Sequence, residues 1–119
     1  MAASLFATGK LLVASSGTPI NVPVPNFSWA GPATPVLTTV HAFMIQALSS
    51  NAGKIYIGVA GMSKASLAGV LVVLPVPTVN LIPTWSVSVT EGANALSLSD
   101  LWIDADNSGE GVTISGVIA

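Results

Sequence analysis

Prolines at positions 19, 23, 25, 32, 35, 75, 77 and 83, with eleven glycines scattered among them, cut this chain until no apolar helical stripe of any length survives. The stretch Met62 to Leu71 comes nearest, and Gly69 interrupts it. What remains reads as short strands separated by turn residues. Leu5 to Ala14 opens the chain. The Pro-rich section Thr18 to Pro35 follows, with one edge strand expected around Ile20 to Val24, because an outward edge position needs no N–H. Val36 to Leu48 reads as a long central strand. One face carries Val40, Ala42, Met44 and Leu48, and the other His41, Phe43 and Ile45, so both faces are apolar, as burial between two layers or under a subunit contact would require. Ser49 to Gly53 is a turn in which Gly53 supplies a positive φ, and Lys54 to Ala60 returns as the partner strand. Gly69 to Leu74 is apolar throughout, and Trp85 to Thr90 alternates between a dry and a wet face. Leu96 to Asp104 and Val112 to Ile118 close the chain across the polar loop Asp104 to Gly111. About eight short strands of this kind predict an all-β fold, a β-sandwich of the jelly-roll or another Greek-key type. At 119 residues the chain makes one domain. Residues 18–35 are expected as a Pro-rich extended arm or edge segment of it.

Charge sets the second constraint. Charged residues are 7% of the chain, against roughly 25% in ordinary soluble domains. The cations are Lys10, Lys54 and Lys64, and the anions Glu91, Asp100, Asp104, Asp106 and Glu110. Such a chain either wears a neutral Ser/Thr surface or has much of its surface covered by neighbours, and a mean hydropathy of +0.77 favours the second. The apolar run Ala68 to Val76 contains Gly69 and Pro75 and falls far short of the roughly 18 residues of a spanning helix. No basic residue precedes Lys10, so a standard signal peptide is not expected. Three lysines without arginine do not neutralise a nucleic-acid backbone, and direct nucleic-acid contact is not expected.

The residues that carry chemistry elsewhere are sparse. The chain has no cysteine and one histidine, His41, set in the most apolar strand without a sequence neighbour that would make it a general base. No G-x-S-x-G and no phosphate-cradling Gly loop occurs, so the chain is read as a non-enzyme without a cofactor. Asp104-Ala105-Asp106-Asn107-Ser108-Gly109 resembles the first half of a calcium loop, with Asp104, Asp106, Ser108 and Glu110 as candidate oxygens. The twelfth position is Ser115 rather than glutamate, and Asn107-Ser108-Gly109 is what a strand reversal needs in any case, so a metal-free solvated hairpin is the preferred reading.

Two segments resemble a known group of proteins. Phe43-Met44-Ile45-Gln46-Ala47-Leu48 followed by Asn51-Ala52-Gly53-Lys54-Ile55-Tyr56-Ile57-Gly58 resembles small virion-associated proteins of tailed phages. So does Leu98-Ser99-Asp100-Leu101-Trp102-Ile103-Asp104-Ala105 with Gly109-Glu110-Gly111-Val112-Thr113-Ile114. Those proteins tend to read I-Q-A-L, a short loop with N-x-G, then I-Y-I-G, and to finish L-S-D-I-W-I-D-A, a loop, and G-x-G-V-x-V. The resemblance covers roughly residues 40–60 and 96–114 and contains no catalytic residue. It implies a virion structural protein. The component expected first is a capsid decoration (cement) protein on the outer surface of the virion, bridging subunits of the major capsid protein, because a small, neutral, apolar β-sandwich suits many weak contacts repeated over a lattice. The charge deficit with the two-sided apolar strand Val36 to Leu48 predicts self-association, as a homotrimer. Another virion component (tail, head fibre or neck) and an oligomeric secreted or surface β protein, pore-forming or ligand-binding, are the alternatives. The candidate interface residues are Phe27, Trp29, Pro32 and Pro35 in the Pro-rich section and Trp85 and Trp102 among the strands, since aromatic anchors carry much of the energy of protein interfaces.

Overall fold

The structure, a computed structural model, describes residues 4–22, 29–30, 39–89 and 96–118. It is an antiparallel β-sandwich. In chain order the strands are β1 (Ser4–Thr8), β2 (Leu11–Val13), β3 (Ile20–Asn21), β4 (Trp29–Ala30), β5 (Thr39–Ala47), β6 (Ile55–Gly58), β7 (Val70–Leu74), β8 (Thr84–Ser88), β9 (Leu96–Ser97), β10 (Trp102–Ala105) and β11 (Glu110–Ile118), with one 3-10 turn at Leu98–Asp100. Three of the eleven, β3, β4 and β9, are two residues long. β3 falls in the edge strand expected around Ile20 to Val24, and β5, β6 and β7 fall in the expected strands Val36 to Leu48, Lys54 to Ala60 and Gly69 to Leu74. β8 and β11 overlap those expected at Trp85 to Thr90 and Val112 to Ile118.

The larger sheet runs β4-β1-β11-β5-β8, with β2 also on β11 and β9 also on β5, and the smaller runs β3-β10-β6-β7. Between them lies a core of Phe6, Leu11, Val13, Phe43, Ile45, Val112 and Ile114 from the large sheet and Ile55, Ile57, Leu74, Ile103 and Ala105 from the small one. Val22, Leu98 and Leu101 join it from the connections. Period-two alternation produces this division directly: Leu11 and Val13 are buried in β2 with Leu12 exposed between them, and Val112 and Ile114 are buried in β11 with Thr113 half-buried between them.

Leu5 to Ala14, read as one strand, is two. β1 and β2 both pair with β11, in registers Ala7↔Ser115 and Leu11↔Val112. The break at Gly9-Lys10 is patched by a side chain, because the Thr8 hydroxyl accepts the Ile114 N–H at 2.9 Å. The central position of β5, between β11 and β8, is as expected. Its faces are not both covered within the chain, though. Phe43, Ile45 and Ala47 enter the core while Met44 is exposed. Val40 is also buried, because β5 and β11 slip by one residue between Val117 and Ile118, which makes His41 the extra residue and resets the alternation.

The main correction concerns connections. Lys54 to Ala60 does not return as the hairpin partner of β5, since β5 belongs to the large sheet and β6 to the small one. The Asp104 to Gly111 loop is likewise not a hairpin: it carries the chain from β10 in the small sheet to β11 in the large one. The β2 to β3 turn crosses in the same way. Nor does Gly53 use a positive φ, which among the described glycines belongs to Gly17, Gly61, Gly69 and Gly109. Gly53 is needed for close approach, because a Cβ there would lie 2.7 Å from the Asp106 Cβ. The Leu96 to Asp104 segment is broken by the 3-10 turn into β9 and β10, one in each sheet.

Candidate docking surfaces

The polar residues are gathered where the chain changes sheets. The Glu110 carboxylate accepts the Ala52 N–H at 2.6 Å and the Gly53 N–H at 3.0 Å. Asp106 accepts the Lys54 N–H at 3.1 Å and the Tyr56 hydroxyl at 2.9 Å. Asp104, only 1% exposed, accepts the Gly17 N–H at 3.0 Å and its neighbour Ala105 N–H at 2.8 Å. The Ser108 hydroxyl accepts the Ser16 N–H at 2.9 Å. Buried Asn51 exchanges two bonds with Gly111. Lys64 reaches in from the β6–β7 connection and donates to the Ser16 hydroxyl and, at 2.8 Å, to the Ala105 carbonyl.

These contacts decide what the cluster does. The four oxygen-bearing residues singled out as possible calcium ligands, Asp104, Asp106, Ser108 and Glu110, divide between two neighbouring connections. Asp104 and Ser108 meet Gly17 and Ser16 of the β2–β3 turn, and Asp106 and Glu110 meet Lys54, Ala52 and Gly53 of the β5–β6 corner. They satisfy N–H groups that these sheet-crossing corners leave without ladder partners. Among the described residues no three acidic or histidine side chains converge on one point. The site ties corners together. Burial lifts the Tyr56 hydroxyl above the usual tyrosine range, and the hydrogen bond to Asp106 and the charges of Asp106 and Asp104 push the same way.

Asp104, Asp106, Glu110 and Lys64 are occupied at the corners, and among the described residues no charged side chain stands at an outward strand position of the large sheet. Register places Leu5, Val117, Ala42 and Ser88 in one row across it, Ala7, Ser115, Met44 and Ser86 in the next, and Thr113, Gln46 and Thr84 in a third. Leu5 is 74% exposed, and it lines a shallow apolar depression with Ala7, Ser115 and Val117. A solvated antiparallel sheet ordinarily sets polar and charged residues on this face. Here Ala, Ser, Thr, Gln46 and a few aliphatic groups make it neutral.

The expected interface residues are scattered rather than gathered. Trp85 points from β8 toward the core and packs edge-to-face on Phe43, with ring centroids 5.6 Å apart. It is half-buried, so part of the ring is absorbed by the sandwich itself. Trp102 is half-buried on the other side of the molecule, on the outward face of the small sheet, in register with Asn21 and Gly58. Trp29 lies in β4, the edge strand paired to β1, opposite Thr8. Phe27, Pro32 and Pro35 lie outside the described residues. Two parts of the Pro-rich section are edge strands, β3 on the small sheet and β4 on the large one. Reading residues one at a time missed the neutral face, because no single residue on it is unusual. The signal is the absence of charge at every outward position of five strands. No helix among the described residues is long and apolar enough to cross a membrane. Comparison with protein-family models, with curated proteins and with solved structures finds no match for this chain.

Proposed function

We propose that this chain is a virion structural protein of a tailed phage, a decoration protein that lies on the outside of the head and bridges major capsid protein subunits. The observation that carries the reading is the neutral outer face of the large sheet. It gives a non-enzymatic, weakly charged sandwich a broad surface that loses little by leaving water, and a lattice multiplies many such modest contacts by avidity. The choice of partner rests on the two segments that resemble small phage virion proteins.

The test uses particles of the phage that encodes the chain. Ala42→Glu with Met44→Glu places two carboxylates on the neutral face, at positions where neither side chain belongs to the core. The variant should keep the parent's circular dichroism and lose particle association, because desolvated unpaired charge is strongly unfavourable. Parent binding should persist at about 1 M salt, where the Debye length is about 3 Å. Undiminished binding by the double variant, or release of the parent in moderate salt, would remove this face from the docking surface. Phe27→Ala, tested beside them, reports on the Pro-rich section.

A further inference from the structure

We propose that copies of this chain associate head to tail, the tip of the β7–β8 connection at Val79 of one copy seating in the apolar groove that opens between the β7 and β8 edges of the next. This goes beyond docking on a capsid, since it concerns only the chain's contact with itself.

The groove exists because the sandwich is open along one side. β7 is an edge of the small sheet and β8 an edge of the large one. Trp85 and Val87 point inward from β8 but remain half-buried. Between the edges lies a cavity of about 270 Å³, with Phe43, Trp85, Val87, Leu71 and Val59 on its walls and Asp100 at one end. Leu71 is the extra residue where β6 and β7 slip register, and it is 56% exposed.

The tip is the complementary feature. Residues 75–83 connect β7 to β8, and Thr78 and Leu81 close a two-residue turn through bonds of 2.9 Å and 3.3 Å. Pro75, Pro77 and Pro83 stiffen its stem, which reduces the entropy lost on docking. Val79 stands at the apex, 98% exposed, and Leu81 beside it is 63% exposed. Turn apices ordinarily carry Gly, Asn, Asp or Pro for backbone reasons. Neither Val79 nor Asn80 adopts a positive φ, so the turn does not ask for a special residue, and it gives no reason for valine.

Three facts select a second copy as the occupant. Both partners are apolar: residues 75–83, which carry the tip, contain no charged residue, and the groove walls carry one carboxylate, Asp100, so their approach takes no other ionic group out of water. The one carboxylate of the groove, Asp100, is exposed at its rim, and the Asn80 amide next to Val79 is the donor that matches it. The tip also does not serve its own groove. It leaves from the end of β7 and enters the start of β8, whereas the groove reaches Leu71 near the start of β7 and Val87 near the end of β8, about 10 Å further along the strand from Thr84. Such tip-into-groove contacts are heterologous, and they close into rings or continue as filaments.

Sedimentation and light scattering of the purified protein, with no particle present, test this independently of capsid binding. The parent should assemble with rising concentration, and its tryptophan emission should shift to the blue as Trp85 is covered. Val79→Asp, at a position that contributes nothing to the core, should raise the concentration for half-assembly about tenfold or more. Leu71→Glu should do the same from the groove side. An equimolar mixture of the two variants retains one good tip and one good groove, and should form one-to-one pairs and nothing larger. A parent that stays monomeric at every concentration overturns the proposal. So does Val79→Asp assembling like the parent, or a variant mixture that does not pair.

Discussion

The carboxylate of Glu110 holds the β5–β6 corner by accepting two successive backbone N–H groups, from Ala52 and Gly53. Bonds to a charged acceptor contribute about 1.5–3 kcal/mol when sheltered, and less where water competes, as it does here at Ala52. Glu110→Ala should therefore destabilise the fold by about 1–2 kcal/mol, read as a lower urea midpoint with an unchanged slope. Glu110→Gln, which keeps one acceptor oxygen, should lose less. Tyr56 offers a second measurement at this scale. Its hydroxyl is held above the ordinary value, chiefly by burial and then by Asp106, so the folded state favours the neutral phenol. That contribution is fully present below about pH 10, the unfolded value, and is lost as pH rises through the higher folded value. Tyr56 is the chain's one tyrosine, so phenolate absorbance reports it alone. The midpoint should lie above about 10 in the native protein and fall back in denaturant. Tyr56→Phe should flatten the alkaline loss of stability. The sequence shows these oxygens gathered in one loop, and the calcium reading responds to that spacing. Which backbone donors they meet depends on corners distant in the chain.

Strands show the same split between local pattern and partner. Alternation in Trp85 to Ser88, and in Val112 to Ser115, separates core from surface from the residue types alone. The β5–β6 connection does not, because Ser-Ser-Asn-Ala-Gly serves a hairpin and a sheet-crossing corner equally well. Close packing of two neighbouring connections decides it, with Gly53 pressed against Asp106. Gly58 is a related case in β6. It pairs with Val70 beside the register slip at Leu71, and a Cβ there would strike the Gly69 carbonyl oxygen and lie 3.1 Å from the Val70 Cα. Both obstacles are backbone and have no rotamer to yield. Gly58→Ala should destabilise by about 2 kcal/mol or more, checked by thermal or urea unfolding.

Across the whole molecule, pairing joins the first described strand to the last. Ser4 opposes Ile118, and β5 lies between β11 and the later strand β8. Little of either sheet forms from consecutive strands, so loop-closure entropy precedes most of the favourable contacts. Refolding should accordingly take milliseconds to seconds, followed by tryptophan fluorescence in stopped flow, rather than the microseconds of local helical folds. The distribution of charge is also a property of this scale. Asp104, Asp106 and Glu110 are drawn to the corners where the chain changes sheets, which leaves the broad face of the large sheet and the 65–90 segment neutral.

The sequence by itself determined that this chain is all-β. Proline and glycine punctuation forbids long helices, and period-two alternation assigns Ile55, Ile57, Val112 and Ile114 to a core without reference to any partner. It determined the charge deficit as well, because that is a count. Only the tertiary structure decided which strand lies beside which, that Asp104 to Gly111 is an inter-sheet tie, and that Trp85 is shared between the core and an open groove. The physical reason is range. Backbone propensity and alternation act over a few residues, whereas sheet partners, corner hydrogen bonds and the gap between two edges are set by packing among residues far apart in the chain.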